Sequence, residues 1–360
     1  MNTILVTGGL GYIGSHCSLE LLKQGQNILI IDSLINSSIE VKSKIELLLN
    51  KKKIKKKGLL FFRKGDLRNK EWLKRTFEEF KVSDNKISSV IHLAGLKSVE
   101  ESTKFPLEYW DVNLKGTLNL LNVMAENNCF NIIFSSSAMI YKQNSEKPFK
   151  EDSEKSPTNT YANTKFSIEK ILEDLYKSEP LKWRIANLRY FNPVGAHESG
   201  LIGENPKVKA SNLFPAIIKS LEKNGDELLV FGKDWPTKDG TCVRDYIHIK
   251  DICRAIDKSI EYLFNNKNNY EIINIGSSTK KTNFEILNAI QKVTGIDNKY
   301  KVVKRRKGDV DFLTCSVVKA RQKLQWMPVY SNIKNIINDE IKWVKYLLQN
   351  KKFRKFKNYL

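Results

Sequence analysis

Cysteine is scarce and scattered. The five residues Cys17, Cys129, Cys242, Cys253 and Cys315 are never spaced as Cys-x-x-Cys, which argues against a disulfide framework or a zinc site. The four histidines, His16, His92, His197 and His248, do not cluster either, so no metal is expected. No apolar run approaches the roughly eighteen residues of a membrane span. The opening Met-Asn-Thr-Ile has no charged leader before an apolar stretch and reads as a strand, not a signal peptide. A soluble, cytoplasmic chain is expected, with no membrane partner.

What is present is enough for a core. Hydrophobic residues make up 41% and aromatics 10% of 360 residues, a composition that excludes disordered and fibrous proteins. The length suggests two domains, or one large domain with an appendage. Lysine and arginine number 61 against 40 acidic residues, a net charge of +21. The excess is diffuse, with concentrations at Lys51–Lys57 and Lys351–Lys357. Neither carries the Arg-Gly repeats of a single-strand platform. The charge therefore reads as solvated lysine faces, and no nucleic-acid partner is expected.

Apolar runs at Thr3–Val6, Asn27–Asp32, Leu59–Phe62, Val90–Leu93, Asn131–Ser137 and Arg184–Tyr190 alternate with helical stretches at 12–24, 69–80, 106–127 and 161–176. Strands separated by helices of ten or more residues imply a parallel sheet covered on both faces. The fold class is α/β, a doubly wound Rossmann sheet, with a smaller mixed α/β lobe after Asn192. The expected division is 1–192 for dinucleotide binding, 193–345 for substrate with possible exchange of segments, and 346–360 as a basic tail. Residues 38–58 read as a helix and exposed loop, and 212–223 and 250–264 as shorter helices.

The strongest local signal is Thr7-Gly8-Gly9-Leu10-Gly11-Tyr12-Ile13-Gly14, directly after the first strand and opening a helix. Glycines at 8, 11 and 14 let the backbone turn tightly and approach a pyrophosphate resting on the helix N-terminus. Asp32, at the end of the second strand, can bond an adenosine ribose hydroxyl and repel a 2′-phosphate, favouring NAD over NADP. A second signal is Tyr161-x-x-x-Lys165. The bare pattern also occurs at Tyr246, Tyr300 and Tyr330, so context separates them. Tyr161 opens a helix after a proline loop, one turn from Lys165, and follows the strand end Ser135-Ser136-Ser137. A free tyrosine, with a pKa near 10, is a poor base. An ammonium and a nicotinium ring about 6 Å away would each favour phenolate by roughly 2–3 kcal/mol at an effective dielectric of about 20, bringing Tyr161 near neutrality. Ser137 would donate to, or relay a proton from, a substrate hydroxyl.

These motifs, together with HLAGLKSVEES (92–102), PLEYW (106–110), FSSSA (134–138), YANTK (161–165), LRYFNPVGAH (188–197), FGKDWPTKDGT (231–241), VRDYIH (243–248) and RRKGD (305–309), resemble the extended short-chain dehydrogenase/reductases. Within them they resemble the UDP-glucose 4-epimerases, over about residues 2–345. The resemblance implies an NAD-dependent isomerase that interconverts UDP-glucose and UDP-galactose by reversible oxidation at C4, rotation of a 4-keto sugar and return of the hydride. It implies cofactor contacts at Tyr12, Ile13, Asp32, Asn36, Ser37, Asp66, Leu67, Leu93, Ala94, Gly95, Lys97, Asn113, Lys165 and Phe191, beside the glycine loop. It also implies UDP-sugar contacts at Ser137, Tyr161, Asn192, Asn212, Leu213, Phe231, Arg244, Arg306 and Asp309, and a homodimer pairing helices 106–127 and 161–176. Arginine forks suit a diphosphate.

Departures from the family pattern are informative. Met139 stands where the family carries threonine, removing a hydroxyl from the sugar pocket. Neither Ala138 nor Met139 offers the acid that the sister dehydratases use to expel water. Leu313 occupies the position whose size admits or excludes an N-acetyl group, so a 4-epimerase of UDP-N-acetylglucosamine or of a UDP-uronic acid is the alternative. A non-catalytic dinucleotide-binding regulator is the alternative from another class.

Overall fold

The computed structural model describes residues 2–50, 54, 57–142, 147–205, 214, 216, 227–266, 269–295, 299–306 and 309–349. The central sheet has seven strands, all pairs parallel: β1 (Thr3–Thr7), β2 (Asn27–Asp32), β3 (Leu60–Lys64), β4 (Ile87–His92), β5 (Asn131–Ser137), β6 (Arg184–Tyr190) and β11 (Tyr270–Ile275), in the order β11-β6-β5-β4-β1-β2-β3. Alternation within the apolar runs explains the two covered faces. Ile4, Val6, Ile28 and Ile30 point into one core, Leu5, Leu29 and Ile31 into the other, so both faces of each strand are apolar. The strand order reverses between β1 and β4, and their carboxyl ends open the crevice where such sheets bind ligands.

Most expected helices form, with instructive differences. Helix α1 (Tyr12–Lys23) follows the glycine loop, and α2 (Glu40–Leu49) occupies the expected insertion; most of the lysine run beyond it lies outside the described residues. Helix α3 (Lys70–Val82) is capped by the Asn69 side chain. The expected long helix over 106–127 is interrupted. After α4 (Val99–Lys104) and α5 (Pro106–Tyr109), Trp110–Lys115 widen into a π-helical turn before α6 (Gly116–Glu126), and such bulges concentrate at functional sites. Helix α7 (Thr160–Ser178) starts at Asn159, whose side chain accepts from the Ala162 amide.

The second lobe is built from short pairings. Strand β7 (Asn192–Val194) runs parallel to β10 (Tyr246–His248); β9 (Val243–Arg244) lies between β12 (Lys281–Thr282) and β14 (Phe312–Leu313); β8 (Leu228–Phe231) pairs with β13 (Tyr300–Val303). Helix α8 (Ile249–Asn265) is amphipathic, and its Ile249, Ile252, Ile256 and Ile260 join the core that buries Cys17 and Leu21 of α1. Helix α9 (Asn283–Thr294) begins with a Thr282/Glu285 capping box, followed by α10 (Val318–Leu324) and α11 (Ile333–Gln349). Helix α8 and strand β11 thus return to the first layer. The helix expected over 212–223 falls almost wholly outside the described residues.

One charged network is buried beneath the sheet edge. Arg189 of β6 donates to both oxygens of Glu169 on α7, at 3.0 and 2.7 Å, and to the hydroxyl of Tyr141 and the carbonyl of Glu151. Ser136 donates to the same Glu169. Arg189 is 1% and Glu169 3% exposed. A buried pair of this kind is costly to break from one side, because the surviving charge keeps its desolvation penalty. We predict that Arg189→Ala lowers the stability of the sheet-forming unit by about 3–5 kcal/mol, read as a shift of the urea midpoint at unchanged slope; a shift equivalent to under about 1 kcal/mol would show that the pair is not needed.

Candidate active site

A cleft of about 1090 Å³ runs along the carboxyl edge of the sheet. Its first half is the glycine turn. Gly8 has φ +66°, and a Cβ there would lie 2.9 Å from the Ala94 backbone at the end of β4; a Cβ on Gly14 would lie 2.3 Å from the Gly8 carbonyl oxygen. Only glycine permits this approach of α1 to β1, and it leaves the helix N-terminus facing the cleft. The Asp32 carboxylate accepts from the amides of Leu10 and Leu34, at 3.0 and 2.9 Å, and from the Ser37 hydroxyl at 2.7 Å. Three bonds leave room on a carboxylate, which offers about four acceptor sites. A turn only glycine can make, a helix N-terminus and an acceptor with spare capacity together fit a dinucleotide.

The structure brings nearly all of the expected residues to this one cleft. Gly8, Gly11, Tyr12, Ile13, Gly14, Asp32, Asn36, Ser37, Asp66 and Leu67 line its first half. Leu93, Ala94, Gly95, Lys97, Ser137, Tyr161, Lys165 and Phe191 line the middle, and Asn192, Phe231, Arg244, Arg306 and Asp309 the far end. Asn212 and Leu213 lie outside the described residues. Asn113 is not on the wall but behind it. Its Oδ1 accepts from the Leu96 amide at 2.8 Å while its Nδ2 donates to Leu96 O and Thr164 Oγ1, so it holds the 93–97 loop to α7. Leu313 packs directly behind the cleft wall. β14 pairs in parallel with β9 and turns the Leu313 side chain into a cluster with Ala138, Tyr141, Phe149 and Phe191, leaving Met139 on the wall.

Around Tyr161 the electrostatics differ from expectation. Burial pushes its phenol up, while the Ser137 hydroxyl and the Lys97 ammonium pull it back. Lys165, expected to supply that pull, instead donates to the Ser135 carbonyl at 2.8 Å over the Phe134 ring, and burial brings its ammonium down to about 8. Lys97 thus also favours the phenolate of Tyr161. The Lys97 side chain is 50% exposed, and Glu204, 2.5 Å away, raises its pKa. Ser137 itself accepts from the Met139 amide at 3.2 Å.

At the far end Arg244 donates to the carbonyls of Val243 and Val310 and lies 3.7 Å from Asp309. The Arg306 guanidinium sits 4.3 Å over the Phe231 ring. Sequence reasoning missed Glu204, Lys44 and Trp343, all on the cleft wall. Glu204 sits in an irregular glycine-rich loop, and the other two belong to amphipathic helices that carry no motif.

Histidines pack under the glycine turn. His16 Nδ1 lies 2.7 Å from Tyr12 O, and its ring is 6.4 Å from that of His197. His92 bridges the hydroxyls of Thr7 and Thr117 at 2.8 Å each. Burial brings His16 and His92 down to about 3 and His197 to about 4. Their folded pKa values lie below the unfolded value near 6.5, so the unfolded chain binds more protons below that pH. Stability present above pH 6.5 is lost as the pH falls toward 4, by up to about 1.4 kcal/mol per pH unit for each group. We predict that the urea midpoint falls steeply from pH 6.5 to 4.5 and less steeply in His197→Gln; equal slopes would remove His197 from the account.

The chain matches the family described as GDP-mannose 4,6 dehydratase over residues 5–339. It is 42% identical, over 95% of its length, to the bifunctional protein GAL10 of Pachysolen tannophilus, and spans about half (48%) of that relative. It is 40% identical to the bifunctional UDP-glucose 4-epimerase and UDP-xylose 4-epimerase 1 of Pisum sativum, over 95% of both chains. The crystal structure of UDP-glucose 4-epimerase from Bifidobacterium longum in complex with NAD+ and UDP superposes with a TM-score of 0.87 at 37% identity, covering 96% of this chain and 98% of that one. The fold and the cleft just described agree with these likenesses: the chain belongs to the extended short-chain dehydrogenase/reductase family and, within it, to the UDP-glucose 4-epimerase branch.

Proposed function

We propose that the protein interconverts UDP-glucose and UDP-galactose with tightly held NAD. The observation that carries this reading is the continuity of the cleft: a dinucleotide turn, a Ser137–Tyr161–Lys97 centre and a pair of arginines share one wall. When bound, NAD supplies a hydride acceptor and donor for C4 of the sugar and, when oxidised, a positive ring that stabilises phenolate. Asp32, with its remaining acceptor site, would hold the adenosine ribose, and Lys165 the nicotinamide ribose. Asp66 and Leu67 would flank the adenine, and Phe191 would lie near the nicotinamide ring.

Tyr161 takes the C4 hydroxyl proton and returns it at the second step. Ser137, on the same wall as Tyr161, would steady the hydroxyl during both transfers. Arg244 and Arg306 would grip the diphosphate through bidentate forks, leaving the sugar free to turn between the two steps. Binding energy spent on the UDP handle rather than the sugar suits a reaction in which both faces must be presented. Ala138 and Met139 offer no acid for eliminating water, which supports epimerisation over dehydration.

A second copy of the chain is the proposed partner. Leu107, Phe105 and Leu118, on or beside α5 and α6, are 83%, 55% and 40% exposed, and apolar helix faces of this kind support a homodimer. Among the described residues no helix is long and apolar enough to cross a membrane, in keeping with a proposed cytoplasmic location.

The test is conversion of UDP-galactose to UDP-glucose, followed by chromatography, in the wild type and in Tyr161→Phe. The variant is expected to keep NAD while turnover falls at least about a hundredfold, the scale of lost acid–base catalysis. Near-normal turnover would place the base elsewhere, and a wild type inert even with added NAD would refute the function. UDP-N-acetylgalactosamine in the same assay decides whether the wall at Met139, with Leu313 withdrawn behind it, admits an N-acetyl group.

A further inference from the structure

The C-terminal helix α11 presents Glu340, Trp343 and Tyr346 at i, i+3 and i+6, one stripe on one face. Each member touches a segment that flanks the dinucleotide half of the cleft. Glu340, 3% exposed, accepts from the Gly195 amide at 2.9 Å, and the carbonyl of the same Gly195 accepts from the Tyr12 hydroxyl. Trp343, also 3% exposed, donates from Nε1 to the Glu204 carbonyl at 3.0 Å. A Cβ on Gly203 would lie 2.5 Å from the indole, so that loop rests directly on the ring. The Lys44 ammonium of α2 lies 5.0 Å from the Trp343 ring centroid and 4.8 Å from that of Tyr346, and the two rings stack.

These contacts form a chain. Tyr12 of α1 is joined through Gly195 to α11, α11 through its aromatic pair to α2, and Trp343 through Glu204 to Lys97 at 2.5 Å. Tyr12, Lys44, Lys97, Glu204 and Trp343 all line the cleft, although α11 follows the rest of the described chain and carries no motif. We propose that α11 is a clasp that retains the nicotinamide dinucleotide, with Glu340, Trp343 and Lys44 as its fastenings. The inference rests on the NAD-dependent function proposed above and adds to it the device that keeps the cofactor from leaving between turnovers. The cofactor half opens only when the stripe lifts. The fastenings set the rate of cofactor loss, while the proton chemistry stays with Tyr161 and Ser137.

Glu340 adds a control. Burial, and then Glu204, push its carboxyl up to about 8, so the contact with Gly195 needs an acceptor oxygen and not a charge. Glu340→Gln keeps that acceptor, whereas Glu340→Ala removes it.

The experiment uses the full chain purified without added NAD. It measures bound NAD per chain and the rate at which that NAD is replaced by a large excess of a fluorescent NAD analogue. Trp343→Ala is expected to release NAD at least about tenfold faster than the wild type. Lys44→Ala, a part-exposed position whose loss leaves the core intact, is expected to release it several-fold faster, the scale of a desolvated cation–π contact. Glu340→Ala should release faster than wild type, and Glu340→Gln at the wild-type rate. Folding is checked by cooperative melting of each variant. Wild-type release rates in folded Trp343→Ala and Lys44→Ala would overturn the clasp while leaving the epimerase reading intact, as would equal release from Glu340→Gln and Glu340→Ala. A wild type that neither carries nor binds NAD would overturn the function itself, and the clasp with it.

Discussion

A carbon atom added to Gly14 would sit 2.3 Å from the carbonyl oxygen of Gly8, and much of the molecule is arranged around that lack of room. Because the start of α1 lies so close to the end of β1, the helix N-terminus points along the carboxyl edge of the sheet. Asp32 then ties the turn to β2 through the Leu10 amide, and Gly8 packs against the Ala94 backbone at the end of β4. The reversal of strand order at β1 and β4 opens the cleft at this point. Parallel strands place every loop of this edge on the same side, so Ser137 at the end of β5 and Tyr161 at the start of α7 reach one cleft without any segment bending far.

The charged groups under that edge divide the work. Glu169 and Arg189 are buried as a pair, and Ser136 and Tyr141 bond to them, which fixes the end of β5 against α7. Lys165 anchors its ammonium on the Ser135 carbonyl, and Lys97, paired with Glu204, adds positive charge near Tyr161. In the protein alone burial still wins at Tyr161. A positive cofactor ring would close that gap, coupling proton transfer to the presence of the oxidised cofactor.

The sequence was most legible where one residue type meets one physical need. Runs such as Asn27–Asp32 read as strands because both of their faces are apolar, and the glycine turn reads directly because nothing else fits. β11 was hidden: Glu271 and Asn274 interrupt its apolar run, and their buried polar groups find partners such as Lys319, Lys323 and Tyr141 far along the chain. Site residues within motifs landed on the cleft. Those missed, among them Glu204, Trp343 and Lys44, gain their roles from partners 107 to 302 positions away, which only tertiary packing brings together. Leu313 shows a complementary limit: its packing against Ala138, Tyr141, Phe149 and Phe191 is set by a two-residue strand paired across the chain, which no local pattern reveals.

The account centres on oxidation and reduction at one carbon within one closed site, with Tyr161 handling the proton and the cofactor the hydride. UDP-galactose deuterated at C4, incubated with the protein in ordinary water, tests this most directly. Product UDP-glucose is predicted to keep its deuterium at C4, since the hydrogen that leaves returns without meeting solvent. Replacement of that deuterium by solvent hydrogen would contradict the account and point to proton abstraction from carbon instead.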